Sequence, residues 1–376
     1  MKLMKTEEAV GQVLCHDITQ IIPGVTKDAV FRKGHIITKE DIPVLLSVGK
    51  EHIYIWEKDE HMLHENEAAQ ILYEMCRNEH MHPSAVKEGK IELIADCDGL
   101  FKVDREKLRK VNSLGEMMIA TRHGNTFVKK GDKLAGTRII PLVIEKEKME
   151  RAKEICNDGS ILEIKPLQPK KAAILTTGSE VYHGRIQDKF TPVLVEKLKE
   201  YGSEVIFHEI YDDDHEAITK GCLSAIEQGA DLVLCTGGMS VDPDDKTPLA
   251  IKNTGARIVS YGAPVLPGAM FLVSYYEYKD KTIPIVGLPG CVMYAKRTIF
   301  DLALPRLLAD DFITAEELAL LGEGGLCLNC PVCTYPNCGF WKRLVSRMLD
   351  QYGRNLDTQR HISLNLPQQQ QISESS

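Results

Sequence analysis

From Lys171 onward, short apolar runs alternate with longer stretches in which apolar residues return every three or four positions. Ala172 to Leu175 is a four-residue apolar run of the kind buried on both faces of a parallel sheet. Phe190, Val193, Leu194, Leu198 and Tyr201 then follow at helical spacing, closing at Gly202. Glu204 to Ile210 reads as a second strand, and Asp213 with Glu216 as a capping box for a helix ending at Gly229. Asp231 to Cys235 is a third strand. Thr247-Pro248 sets the N-cap and first position of a short helix that ends at Gly255. Arg257 to Ser260 and Thr282 to Val286 supply two more strands, and a helix runs from Cys291 to Leu308. Strand–helix alternation with short connections predicts an α/β fold, a three-layer α/β/α domain with a parallel sheet and helices on both faces, over residues 169–310.

The first 168 residues have a different texture, mixed and β-rich. In 1–59, Val10 to Leu14 and Ile53 to Trp56 are β-rich, Phe31 to Ile37 reads as a turn and a strand, and Asp41 to Val48 as one short helix. In 60–168, a helix is predicted from His61 to Glu79, with interruptions at Pro83 and Gly89. Strands follow at Glu116–Ala120, Thr126–Lys129 and Arg138–Ile144, then a helix from Glu145 to Cys156. Five histidines fall between His52 and His82 at irregular spacing, so the expectation there is a solvated helix face. Lys165-Pro-Leu-Gln-Pro-Lys170 is a stiff linker, and the main domain boundary is placed on it.

Composition narrows the class. The chain has 376 residues, more than one ordinary domain needs, with 43% hydrophobic and 27% charged residues. Fifty-four acids against 46 Lys and Arg give a net charge of −8, which argues against a nucleic-acid binder. The longest uncharged run, Ile258 to Tyr276, holds Gly262, Pro264, Pro267 and Gly268, so no membrane span is expected. No apolar leader opens the sequence, and the expected location is the cytoplasm.

In an open α/β sheet, ligands lie beyond the carboxyl ends of the strands. Three glycine-bearing segments fall there: Thr177-Gly178-Ser179-Glu180, Gly237-Gly238-Met239-Ser240 and Leu288-Pro289-Gly290. Glycine lets backbone N–H groups approach an anion closely, and the helix that follows adds its dipole. The second segment continues through Asp242, Asp244 and Asp245. Those acids beside a phosphate loop suit Mg²⁺; equally, they suit a solvated turn that caps the helix at Thr247. Asp188 is either an acid in the first turn of its helix or a ligand contact.

These residues carry a resemblance. Thr177 to Glu180, Ile186 to Asp188, Asp212 to Asp214, Gly237 to Asp245, Pro267-Gly268 and Leu288 to Gly290 occur in the order and spacing of the molybdopterin-binding domain of molybdenum-cofactor biosynthesis enzymes. Asp244 to Pro248 also resembles an element of the adenylyltransferase branch. Gly11 to Leu14 and Lys33 to Ile55 are similar to the start of the molybdopterin molybdotransferase (MoeA, gephyrin E-domain) branch. The resemblance implies a transferase that inserts molybdate into adenylated molybdopterin with release of AMP, assisted by Mg²⁺ and working as a homodimer. Thr177, Gly178, Ser179, Glu180, Asp188, Gly237, Gly238, Ser240, Pro289 and Gly290 then bind the pterin, with Asp242 and Asp245 catalytic. The alternatives are an adenylyltransferase, or a non-catalytic molybdopterin- or nucleotide-binding protein with a redox or metal-sensing centre. The chain departs from the family at Ser179 (usually Asp), at Leu266 and Ala269 (usually Lys), and at Cys291-Val292 (usually Asn-Pro). Two missing cations weaken the attraction of that segment for an oxyanion.

In place of the family's C-terminal β-domain stands Cys327-Leu-Asn-Cys330-Pro-Val-Cys333-Thr-Tyr-Pro-Asn-Cys338. Thiolates spaced two, two and four residues apart can converge on an Fe–S cluster or Zn²⁺, so residues 311–341 read as a metal-binding segment. The other cysteines are scattered. Residues 342–376, ending in a glutamine run and serines, have the composition of a disordered tail.

Overall fold

The computed structural model describes residues 2–22, 26–55 and 59–340; the predicted tail, with Trp56 and Trp341, lies outside the described residues. The α/β elements are β1 (Lys171–Thr177), α1 (Ser179–Tyr182), α2 (Phe190–Lys199), β2 (Glu204–Tyr211), α3 (His215–Glu227), β3 (Leu232–Thr236), α4 (Thr247–Asn253), β4 (Arg257–Tyr261), β5 (Leu272–Tyr278), β6 (Lys281–Leu288), α5 (Ile299–Leu308) and α6 (Ala315–Ala319). They form one six-stranded sheet in the order β2-β1-β3-β6-β5-β4. Leu194, Leu198, Phe300 and Leu304 of α2 and α5 pack on one face; Ile218, Cys222, Ala250 and Ile251 of α3 and α4 pack on the other. The three-layer reading therefore holds.

The sheet itself corrects the expectation of parallel strands. β2, β1, β3 and β6 are parallel, but β5 is antiparallel to both β6 and β4. Only Lys279 and Asp280 separate β5 from β6, and Lys279 takes φ +55°, a two-residue hairpin that forces antiparallel pairing. β5 was hidden in the uncharged run, whose glycines and prolines read as breakers. The predicted helix from Cys291 to Leu308 is also shorter. A 3₁₀ turn covers Gly290–Met293, and α5 starts only after Thr298, whose hydroxyl caps it while Asp301 reaches back to the Thr298 N–H.

Upstream, a four-stranded antiparallel sheet (Met81–Pro83, Lys90–Ala95, Lys133–Ile139, Met117–Thr121) and a three-stranded one share a core with the helix Glu65–Cys76. That helix starts later than its pattern implied, because Met62–His64 pairs as a strand with Val143–Glu145 and the His64 ring accepts from Asn66 N–H as its cap. His64 is buried, so this one histidine leaves the solvated face. The predicted strand Arg138–Ile144 is two strands, ending at Ile139 and restarting at Val143. In the first module, Val10–Leu14 makes only isolated bridges, at Val13 and Leu14, while the hairpin Ile18–Ile22 with Thr26–Phe31 carries the pairing.

Asp311 joins the upstream region to the α/β domain. Its carboxylate takes bonds from Arg306 Nε (2.6 Å), Lys102 Nζ (2.8 Å) and Lys165 Nζ (3.0 Å). Burial alone raises such a group, but Arg306 and Lys102 hold it down at about 2. Among the described residues, no helix is long and apolar enough to cross a membrane.

Candidate functional site

β1, β3 and β6 are neighbours and run the same way, so the segments that leave their carboxyl ends emerge on one edge. Register places Thr176, Thr236 and Leu288 side by side, with Gly178, Gly237 and Pro289 just beyond. The three predicted loops therefore share a rim.

The first two loops are locked together. Thr177 Oγ1 donates to the Thr236 carbonyl at 3.0 Å and lies 2.9 Å from Thr247 Oγ1, and all three threonines are buried. Gly237 takes φ +82°, and a Cβ there would stand 2.1 Å from the Thr177 carbonyl oxygen. Gly238, at φ +52°, would press a Cβ to 2.9 Å of Thr247 Oγ1. Both glycines are needed for close approach as well as for conformation. Thr236 Oγ1 is the anomaly of this rim: fully buried, at the middle of the edge, and without a hydrogen-bond partner among the described residues. Buried hydroxyls ordinarily find a partner, so its isolation on this edge is unusual.

Loop one is pinned from β2. Ser179 N–H donates to Asp213 Oδ2 at 2.9 Å, and Gly178 N–H donates to the Tyr211 carbonyl at 3.2 Å. Asp213 is thus a rim residue, and the capping role expected of it belongs to Asp214, which accepts from Glu216 N–H. The pattern was one residue off because three aspartates stand in a row. Burial pushes the Asp213 carboxyl above its usual range, and Asp212, Glu180 and Asp244 push it the same way. Acids from three segments therefore act on one another electrostatically, although among the described residues no three of them are grouped closely enough to hold a metal ion. Among the three acids after loop two, Asp244 is the one that Asp213 feels, whereas the resemblance singles out Asp242 and Asp245.

Asp242 is exposed and Asp245 half-buried. Asp242 N–H donates to Asp245 Oδ2 at 2.9 Å, a local turn. Ser240 is exposed too, but its carbonyl and that of Met239 accept from Tyr261 OH at 3.1 and 2.7 Å, which steadies the loop. Asp188 takes the structural role of its two readings. Its Oδ1 accepts from Phe190 and Thr191 N–H, capping α2, and its Oδ2 accepts from the hydroxyls of Thr176 and Thr191. Burial alone would raise its carboxyl; those bonds hold it below the usual range. In the third loop, Pro289 is buried, whereas Gly290 is exposed with open space where a Cβ would lie. β4 runs parallel to β6, so Leu266 to Ala269 leave on the same edge, where Leu266 is exposed.

A second polar cavity, of about 270 Å³, was not visible in any motif. His16, Asp17, Arg32, Lys33, Glu65 and Glu88 are among its walls. Burial pushes the Glu65 carboxyl up and the His16 imidazole down, so both are biased toward neutrality.

Residues 173–309 match the family model described as "Probable molybdopterin binding domain", and residues 3–57 match one described as a domain of unknown function. A molybdopterin adenylyltransferase of Pyrococcus furiosus is 28% identical over 135 residues, 36% of this chain and 76% of that protein. A CinA-like protein of Mycobacterium tuberculosis is 36% identical over 77 residues, 20% of this chain. The chain thus spans about three quarters of the first relative, at 76%, and under a fifth of the second, at 18%. Among solved structures, the tungsten cofactor synthesizing protein MoaB from Pyrococcus furiosus aligns at 22% identity and a TM-score of 0.29, over 33% of this chain and 84% of that one.

Proposed function

Given that residues 173–309 of this chain form a domain of the molybdopterin-binding family of cofactor biosynthesis, we propose that its rim binds the phosphate of adenylated molybdopterin and acts on the bond between that phosphate and AMP, with molybdate entering as AMP leaves. The observation that carries this reading is the Thr177–Thr247 lock, which holds two glycine loops against each other on the edge where the parallel strands end.

In this reading the amides of Gly237 and Gly238 are the donors to the anion. Asp213 both orients Ser179 and, with Glu180 and Asp244, faces the metal; Asp242 and Asp245 complete the acidic wall from the outer side. Among the described residues no three of these acids are grouped to hold a metal ion by themselves, so Mg²⁺ would sit between one or two carboxylates and the phosphate. Bound there, Mg²⁺ would offset charge on the phosphate oxygens. Leu266 brings no cation to the edge, so molybdate capture must rest on other groups than in the family's usual pattern. A second reading, adenylyl transfer from a nucleotide to molybdopterin, is favoured by the 28% identical relative, itself named an adenylyltransferase, and by Asp244 to Pro248.

One experiment separates the two. Anaerobic protein is given adenylated molybdopterin, Mg²⁺ and molybdate, or molybdopterin, Mg²⁺ and ATP. Molybdate-dependent AMP release is the expected outcome; pyrophosphate release in the second mixture alone replaces it with the adenylyltransferase reading. Asp242→Ala, on an exposed turn, should cut turnover by about tenfold or more with the fold intact. Unchanged rates would remove Asp242 from the machinery.

A further inference from the structure

The cysteine-rich segment is a strap on the α/β domain rather than a loose end. Leu266 N–H donates to the Gly325 carbonyl and the Leu266 carbonyl accepts from Cys327 N–H, both at 2.8 Å, a short parallel bridge. At the far end, Phe340 is buried, and the Tyr335 ring lies under the Arg297 guanidinium at 5.0 Å with its hydroxyl donating to the Asp301 carbonyl. Between these anchors, Lys296 Nζ donates to the Pro331 carbonyl at 2.9 Å. Cys327 and Cys338 pack against the main core, while Cys330 and Cys333 are exposed. All four nonetheless border one cavity of about 220 Å³, whose remaining wall includes Lys296, Arg297 and Pro267.

We propose that Cys327, Cys330, Cys333 and Cys338 ligate a [4Fe–4S] cluster in this cavity. Two features distinguish it from a zinc site. The spacing of two, two and four residues is close to the bacterial ferredoxin run, whereas four-cysteine zinc sites commonly set two Cys-x₂-Cys pairs apart by a longer loop. The cavity, at about 220 Å³, is several times the roughly 30 Å³ share of one water, so it is large for a single ion. Zinc–sulfur bonds of about 2.3 Å would gather four thiolates to roughly 3.8 Å from one another. Among the described residues no three Cys, His, Asp or Glu side chains are grouped as ligands of a metal ion, so the four thiols would have to draw together around either group. Four thiolates and a cluster carry net negative charge, and Lys296 on the same wall is placed to offset it, the Arg297 charge being taken by Asp301. With two of its ligands exposed, the cluster would lie at the protein surface.

The test uses the full chain, produced and kept without oxygen, or reconstituted with ferrous iron and sulfide. The expected result is about four iron and four acid-labile sulfide per chain, with broad visible absorption that bleaches on reduction. The paired substitution Cys330→Ser with Cys333→Ser should abolish iron, sulfide and colour, and should leave the thermal midpoint of the metal-free protein unchanged because both side chains are exposed. Cys97→Ser, in the upstream region, should keep all three. Stoichiometric zinc without sulfide, no iron uptake on reconstitution, or full iron in the paired variant would each overturn the proposal. None of these readouts depends on turnover at the rim, so the two proposals fail separately.

Discussion

The rim and the strap occupy the same edge of the sheet, yet they are built by opposite means. The rim is made of backbone: two glycines in the left-handed region, their missing side chains filled by Thr177, with buried hydroxyls fixing the distance between loops. The strap has almost no secondary structure and presents its chemistry through side chains, held by anchors at either end. The rim should therefore be intolerant of added atoms and the strap intolerant of lost ones.

The most disruptive test of that contrast adds one carbon to each. Gly237→Ala puts a Cβ 2.1 Å from the Thr177 carbonyl oxygen at φ +82°. Strain and overpacking together should cost about 2–4 kcal/mol in denaturant unfolding and abolish pterin binding. Gly339→Ala meets nothing within 4 Å and no positive φ, and should stay within about 0.5 kcal/mol of the parent. Equal losses in both would dissolve the contrast.

A smaller effect should follow from removing the lock without changing its shape. Thr177→Val keeps the branched volume but leaves Thr247 Oγ1 without its 2.9 Å partner inside the protein. An abandoned buried hydroxyl costs about 1–3 kcal/mol. Thr177→Ser retains the hydroxyl and should recover most of the loss in unfolding and in pterin affinity. If Val and Ser behave alike, the lock is packing and not hydrogen bonding.

How much of this was legible in the sequence follows from the same contrast. The buried strands β1, β3 and β6, and the glycines after them, were readable because apolar runs and breakers are local signals, and their shared edge followed from topology. The four cysteines were equally readable, because a side-chain constellation survives in one dimension. What escaped were long-range facts. Asp213 looked like a cap because its neighbour Asp214 is the cap; its bond to Ser179, 34 positions away, has no local mark. β5 was masked by the glycines and prolines that precede it, and Asp188 could not be assigned until Thr176 was seen beside it. His16 and Glu65 face a common cavity only because the hairpin of the first module folds against a helix start nearly fifty residues on.

The finest test concerns charge alone. Asp213 is raised by burial and by Asp212, Glu180 and Asp244, so it takes up its proton at a higher pH than an ordinary carboxyl. A cation at the rim competes with that proton, and Mg²⁺ binding measured by calorimetry should weaken as pH falls through a window above the usual carboxylate range of about 4. Asp213→Asn keeps an oxygen for the Ser179 N–H and removes only the charge. Its Mg²⁺ affinity should drop about two- to tenfold at neutral pH, as loss of one partly solvated charge implies. The variant should also lose that portion of the acid sensitivity. Because the loop anchor is retained, stability should hardly move, which separates this residue's electrostatic part from its positioning one. Unaltered affinity and an unaltered pH profile would show that the cation is held without help from Asp213.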